Sequence, residues 1–139
     1  IYLIKPHKIF MGEKDYQQLY LIKKYIKNKY KSTIISCKTT RDTKKLALSS
    51  RNVHLTKKQL TYAGKLAQDL IYFKKNLFKK KNIQKLIKLK KNLLEKLYNI
   101  NIEYLELRNK FNLKKTNKIN NSKLFIAYYI NKIRLIDNF

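Results

Sequence analysis

Lys8-Ile9-Phe10-Met11-Gly12-Glu13-Lys14-Asp15-Tyr16-Gln17-Gln18-Leu19 is the stretch on which the architecture turns. Pro6 ends whatever comes before it, and Lys8 to Met11 reads as a short strand. Gly12 permits a tight turn. From Tyr16 to about Lys29, Leu19, Ile22 and Ile26 recur at helical spacing and predict a helix. Thr33-Ile34-Ile35-Ser36-Cys37 is rich in β-branched residues and predicts a second strand. Strand, helix and strand within about thirty residues form a βαβ unit, whose crossover usually joins parallel strands.

Outward from this unit the pattern changes. Thr39 to Lys45 is a polar, basic connection, followed by Leu46-Ala47-Leu48-Ser49-Ser50-Arg51-Asn52. Thr56-Lys57-Lys58-Gln59 has the form of a capping box and opens a long helix, with Leu60, Ala63, Ala67, Leu70, Lys74 and Leu77 on one face. A second helix, about Ile83 to Tyr98, is expected to bury Leu86, Ile87, Leu93, Leu94 and Leu97. Ile102 to Leu107 alternates, Leu124 to Ile130 is strand-like, and Arg134 to Ile136 suits a third short strand. The Lys/Asn-rich stretch Asn109 to Asn121 between them reads as a loop. The expected fold is therefore α/β: the end of an α/β domain over residues 1–50, then an α+β domain over 51–139 with two helices and a small antiparallel sheet.

The chain has 139 residues, and its 34 Lys and Arg against 8 Asp and Glu give a net charge of +26. A hydrophobic content of 44% excludes a disordered tail in spite of that charge. The single Cys37 excludes a disulfide framework and a cysteine zinc cluster, and suits a reducing, cytoplasmic setting. The longest apolar run, Leu124 to Ile130, falls far short of a membrane span, and Ile1 onward is expected to be ordered structure, not a signal peptide. Such charge invites a nucleic-acid reading. However, the abundant residues Lys, Ile, Asn, Tyr and Phe all have A/T-rich codons, whereas Gly, Ala, Arg and Pro are scarce. A nucleotide bias explains the excess of Lys without a polyanionic partner, and a dedicated binder would be expected to keep Arg. A basic module for nucleic acid or ribosomal surfaces is the alternative reading.

Two constellations carry chemistry. Gly12-Glu13-Lys14-Asp15, with Gln17 and Gln18, lies between a strand and a helix start, where open α/β sheets bind ligands and free N–H groups favour anions. Taken alone, Glu13 and Asp15 only complement a helix dipole and Lys14 is solvated. Ser49-Ser50-Arg51 offers two hydroxyls and a guanidinium suited to a polyphosphate, although Ser-Ser alone is usually a turn or a cap. Arg51 is one of few Arg in a chain that drifts toward Lys.

Together, Phe10 to Leu19 and Leu46 to Asn52 strongly resemble the pantothenate synthetase (pantoate–β-alanine ligase) family. Tyr104-Leu105-Glu106-Leu107-Arg108 and Arg134-Leu135-Ile136-Asp137-Asn138 are similar to that family's C-terminal domain. The resemblance covers essentially the whole chain, but only about the C-terminal half of a typical member. It implies the C-terminal part of a Rossmann-like nucleotidylyl-transferase domain followed by the family's small α+β domain. It also implies an ATP-dependent condensation of pantoate with β-alanine through pantoyl adenylate, with Mg2+ on the triphosphate and homodimerisation of the complete enzyme. By that resemblance Gly12, Glu13, Lys14 and Asp15 contact ATP, with Lys14 near the reacting phosphates and Asp15 near the ribose. Gln18 matches the pantoate-binding glutamine. Thr40 matches a position whose backbone meets the adenine, and Leu48, Ser49, Ser50 and Arg51 match the loop on the β- and γ-phosphates. Lys14 and Arg51 are the candidate catalytic residues. No metal-ligand set and no membrane or nucleic-acid partner is expected.

Departures from the family pattern are equally specific. Its His-rich loop and catalytic histidine have no counterpart here, and neither His7 nor His54 stands in for them. Lys45 occupies a usual glycine position, which is expected to remove access to positive φ, and Lys38 a common proline. The expectation is that these 139 residues alone do not make pantothenate.

Overall fold

The structure, a computed structural model, describes residues 1–27 and 29–139, with the side chains of Lys27 and Lys79 also outside the described set. By backbone contacts the chain forms two compact units, Ile1–Thr39 and Thr40–Phe139. The sequence reading divides the chain at residue 50; the segment 40–50 groups by contacts with the second unit.

In the first unit, β1 (Lys8–Gly12) and β2 (Thr33–Cys37) pair in parallel, with Ile9 opposite Ile34 and Gly12 opposite Cys37. The crossover helix α1 (Tyr16–Lys27) buries Leu19 and Ile26, two of the three residues that its periodicity selects. Asn28, which the sequence reading includes in this helix, lies outside the described residues. The connection is tied at its return end, where Ser32 Oγ donates to the Pro6 carbonyl at 2.5 Å and Thr33 N to that of His7 at 2.9 Å.

In the second unit, α2 (Lys57–Asn76) opens on the expected capping box: Thr56 Oγ1 accepts from Gln59 N and Gln59 Oε1 from Thr56 N. Ala63, Leu66, Ala67 and Leu70 are buried along one face. Lys74 continues that row, and its ammonium reaches past the apolar layer to the carbonyls of Ser122 (3.2 Å) and Phe139 (2.6 Å). Helix α3 (Ile83–Tyr98) is bounded by Asn82 and Asn99, both left-handed. It buries Ile83, Ile87 and Leu94 with Leu86 packed against them. Leu93 and Leu97 do not follow the sequence expectation: they are 54% and 62% exposed. A stripe three to four residues apart covers only part of the helix, and these two fall beyond its contact with the sheet.

Strands β3 (Asn101–Asn109), β4 (Ser122–Ile130) and β5 (Ile133–Asn138) form an antiparallel sheet in that order. The β4–β5 hairpin closes through Asn131-Lys132, with Asn131 left-handed. The core joins Leu66, Leu70 and Leu77, Ile87 and Leu94, and Ile102, Leu107, Leu124 and Ile126 of the sheet.

Two measurements check this packing. Leu94→Ala should cost about 2–5 kcal/mol of unfolding free energy in urea, whereas Leu93→Ala should stay within about 0.5 kcal/mol. Burial, then the charges of Lys123 and Lys110, lower the Lys74 pKa to about 8. The unfolded chain therefore holds this proton more tightly, and stability contributed by Lys74 rises with pH between about 8 and its ordinary 10.5. The stability of wild type relative to Lys74→Met should be flat below pH 8 and grow in favour of wild type across that window.

Candidate functional site

At the carboxyl end of β1 the chain passes through a single 3-10 turn, Glu13–Asp15, directly into α1. Gly12 does not use glycine's conformational freedom as the sequence reading expects: its φ is −69° and its ψ 136°, ordinary extended backbone. Nor does packing demand it, because a Cβ built there would meet nothing within 4 Å. Gly12 supplies no capping side chain to the first N–H groups of the turn. Glu13 and Lys14 are half-buried, and Asp15 and Gln18 are exposed. Burial, then the charge of Glu13, raises the Tyr16 hydroxyl pKa above its usual value. Glycine, acids, lysine and glutamine thus gather at one end of the parallel pair, where Gly12 faces Cys37.

The second group is a loop held by its own hydrogen bonds. Arg41 and Ala47 form an antiparallel bridge, and Leu48 N donates to Thr40 O at 3.0 Å. At its tip Lys45 N donates to Asp42 O (3.0 Å) and Leu46 N to Asp42 Oδ1 (2.9 Å). Here the sequence expectation fails in an informative way. Lys45 has φ +69°, so the left-handed turn is kept although a lysine occupies it. The turn's hydrogen bonds and the Arg41 guanidinium on Lys45 O, at 3.0 Å, hold the residue there.

Beyond the turn, Ser49 caps the 3-10 helix Ser50–His54 by accepting from Arg51 N at 3.3 Å. Asn52 Nδ2 donates back to Ala47 O at 3.0 Å. Leu48, Ser50 and Arg51 are exposed, and Arg51 Nη1 donates to Arg134 O on β5 at 3.2 Å. Sequence reasoning passed over Gly64, on which this loop rests. A Cβ at Gly64 would stand 2.7 Å from Lys44 Cβ and 3.1 Å from Lys44 O. Beside it, Gln68 Nε2 donates to Lys44 O and Lys44 Nζ to Thr61 Oγ1. The available signal was a glycine inside a long helix, a costly choice that a close backbone approach explains.

The structure thus brings Gly12 to Asp15 and Gln18 together in the first unit, and Thr40 with Leu48 to Arg51 in the second. His7 and His54 are both exposed. Among the described residues no three His, Cys, Asp or Glu gather as a metal-ligand set, and no helix is long and apolar enough to cross a membrane.

A family model described as pantoate-beta-alanine ligase matches residues 1–139. The chain belongs to the pantoate–β-alanine ligase family. It is 36% identical over 140 residues to a pantothenate synthetase of Flavobacterium psychrophilum, covering 98% of this chain and 49% of that one. A pantothenate synthetase of Francisella tularensis is 36% identical over 143 residues, covering 99% and 44%. The chain therefore spans about half the length of these curated relatives. Among solved structures, a Thermus thermophilus pantothenate synthetase superposes with TM-score 0.87 at 24% identity, over 99% of this chain and 51% of that one. A Francisella tularensis pantoate–β-alanine ligase, complexed with β,γ-ATP and β-alanine, matches at TM-score 0.71 and 33% identity, over 99% and 45%. The α/β fold class and the family resemblance carried by the ligase motifs are both shown.

Lys45 in the loop and Gly64 in the helix against which it packs respond oppositely to substitution. Lys45→Gly should raise unfolding free energy by about 0.5–1 kcal/mol: the left-handed cost of roughly 1–2 kcal/mol, less glycine's greater entropy loss. Gly64→Ala should lower thermal stability, although alanine in an open helix position would raise it.

Proposed function

We propose that this chain supplies the ATP-binding and C-terminal portion of a pantoate–β-alanine ligase, which condenses pantoate with β-alanine at the expense of ATP. The observation that carries this reading is the family match over all 139 residues. Two features of the geometry support it. Gly12 is required by neither the conformation nor the packing of its own chain, as expected where backbone approaches a ligand. Ser50 and Arg51 are exposed, and Ser49 half-buried, on a loop whose shape is already set by internal hydrogen bonds.

In this reading the pantoate carboxylate attacks the α-phosphorus of ATP and pyrophosphate leaves. The β-alanine amine then attacks the acyl carbon, and AMP departs with the bridging oxygen. Negative charge grows on the α-phosphate and on the leaving pyrophosphate during the first step. Lys14 stands near the reacting phosphates, while Ser49, Ser50 and Arg51 hold the β- and γ-phosphates. Asp15 accepts from the ribose hydroxyls, Thr40 meets the adenine through its backbone, and Gln18 donates to pantoate. Glu13 lies at the start of the same turn. Mg2+ accompanies the triphosphate as part of the substrate. The family's catalytic histidine has no counterpart among these residues, since His7 and His54 belong to neither group, and the 139 residues alone are expected to make no pantothenate.

Calorimetric titration of the chain with ATP tests the binding half of this reading. Lys14→Ala and Arg51→Ala should each weaken ATP roughly tenfold, one charge-assisted contact. Gly12→Ala should weaken ATP while leaving the thermal midpoint unchanged or slightly higher. Unchanged affinity in all three variants would refute the assignment. ATP binding that only tracks salt, and is matched by any RNA, would favour bulk electrostatics of the +26 chain. Pantothenate formed by the chain from ATP, pantoate and β-alanine would contradict its inactivity alone.

A further inference from the structure

Arg41 holds both limbs of the loop's turn against the sheet with one side chain. Its Nη1 and Nη2 donate to Asp137 Oδ2 and Oδ1 on β5 at 2.6 and 2.8 Å, a bidentate fork. Nη2 also donates to Asn138 O at 3.1 Å, and Nη1 to Lys45 O at 3.0 Å, across the loop's own tip. The guanidinium lies 4.9 Å from the Phe139 ring centroid. The pair is largely removed from water, with side chains 17% and 7% exposed. A buried ion pair adds little net stability over apolar packing, but it does fix one arrangement against its neighbours. What it fixes here is the loop. The Arg41 backbone bridges Ala47, Ala47 O accepts from Asn52, and Arg51 reaches Arg134 O on the same strand β5.

We propose that the Arg41–Asp137 pair is a positioning device for the Ser49-Ser50-Arg51 loop, holding its backbone in the shape that receives a polyphosphate. The proposal rests on the ATP reading above and extends it to residues outside the ligand-facing segment. Because Asp137 takes up the charge of Arg41, Arg41 acts through the loop and not as a phosphate ligand. Electrostatics and positioning then make opposite forecasts. Asp137→Asn removes a negative charge near a polyanion site, so charge alone predicts tighter binding, whereas a displaced loop binds more weakly. Arg41→Lys keeps the charge and loses the fork, so charge alone predicts no change.

The test titrates the full 139-residue chain with inorganic tripolyphosphate, following the amide resonances of Leu48 to Arg51. Arg41→Lys and Asp137→Asn are each expected to weaken binding about tenfold and to speed hydrogen exchange at the Leu46 and Leu48 amides, with Asp137→Glu recovering part of both. Near-UV circular dichroism reports whether each variant keeps its tertiary packing. Should Asp137→Asn lose that packing, the charge-conserving Arg41→Lys decides. Wild-type affinity in Arg41→Lys, or tighter binding in a folded Asp137→Asn, overturns the positioning role while leaving the ATP reading intact. No response of the wild-type amides to tripolyphosphate overturns the ATP reading and this inference with it.

Discussion

Strand β4 is the constraint on which the second unit depends. It is paired along both edges, to β3 and to β5, and Leu124, Ile126 and Ala127 are fully removed from water. A strand buried in this way must satisfy every backbone group through its neighbours, so the register of β3 and β5 follows from it. Helices α2 and α3 cover the resulting sheet, and their buried leucines meet those of β4 in one cluster. The candidate loop is attached to this frame by way of β5. The path from the core to the loop runs Ile126 opposite Asp137, then Asp137 to Arg41, then Arg41 to Lys45 and Ala47.

Charge imposes the second constraint. With 34 cations against 8 anions, acidic side chains are scarce, and those after Thr40 all have definite partners. Asp42 holds the loop tip, Asp69 pairs with Lys90, and Glu95 accepts from Ile102 N to fasten the end of α3 to the start of β3. Glu103 holds Arg134, Glu106 holds Arg108 and Lys115, and Asp137 holds Arg41. The four arginines also share a pattern, since each makes a contact that uses the guanidinium. Arg41 and Arg134 fork onto carboxylates, Arg108 joins Glu106 to the Leu113 carbonyl, and Arg51 reaches Arg134 O. Scarcity of arginine in the sequence therefore marks places where planar geometry is needed. It does not by itself separate a structural fork from a ligand-facing one.

Much of the architecture was legible in the chain because its signals are local. Both strands of the βαβ unit, the capping box at Thr56 and Gln59, and the three C-terminal strands follow from periodicity and short-range chemistry. Glycine was the main source of error. The sequence has two, and neither adopts positive φ; among the described residues the left-handed positions are instead filled by Lys5, Lys45, Asn82, Asn99, Leu113, Asn121 and Asn131. Asparagine tolerates this region better than most residues, which accounts for four of the seven. Both glycines have meaning of another kind: open space above Gly12, and a backbone pressed close beneath Gly64. Leu93 and Leu97 misled for a related reason, because periodicity identifies a helix face but not how far the covering sheet extends.

What the sequence by itself determined is the kind of each element and the membership of the pantoate–β-alanine ligase family. Strand, helix and cap depend on residues a few positions apart, and the ligase motifs are contiguous. What only the tertiary structure decided is which residues hold the motifs in place. Arg41 and Asp137 lie 96 positions apart, and Gly64 touches Lys44 from the middle of another element. Nothing in their local sequence announces these contacts, because a salt bridge or a close approach exists only once the sheet has brought the two segments together.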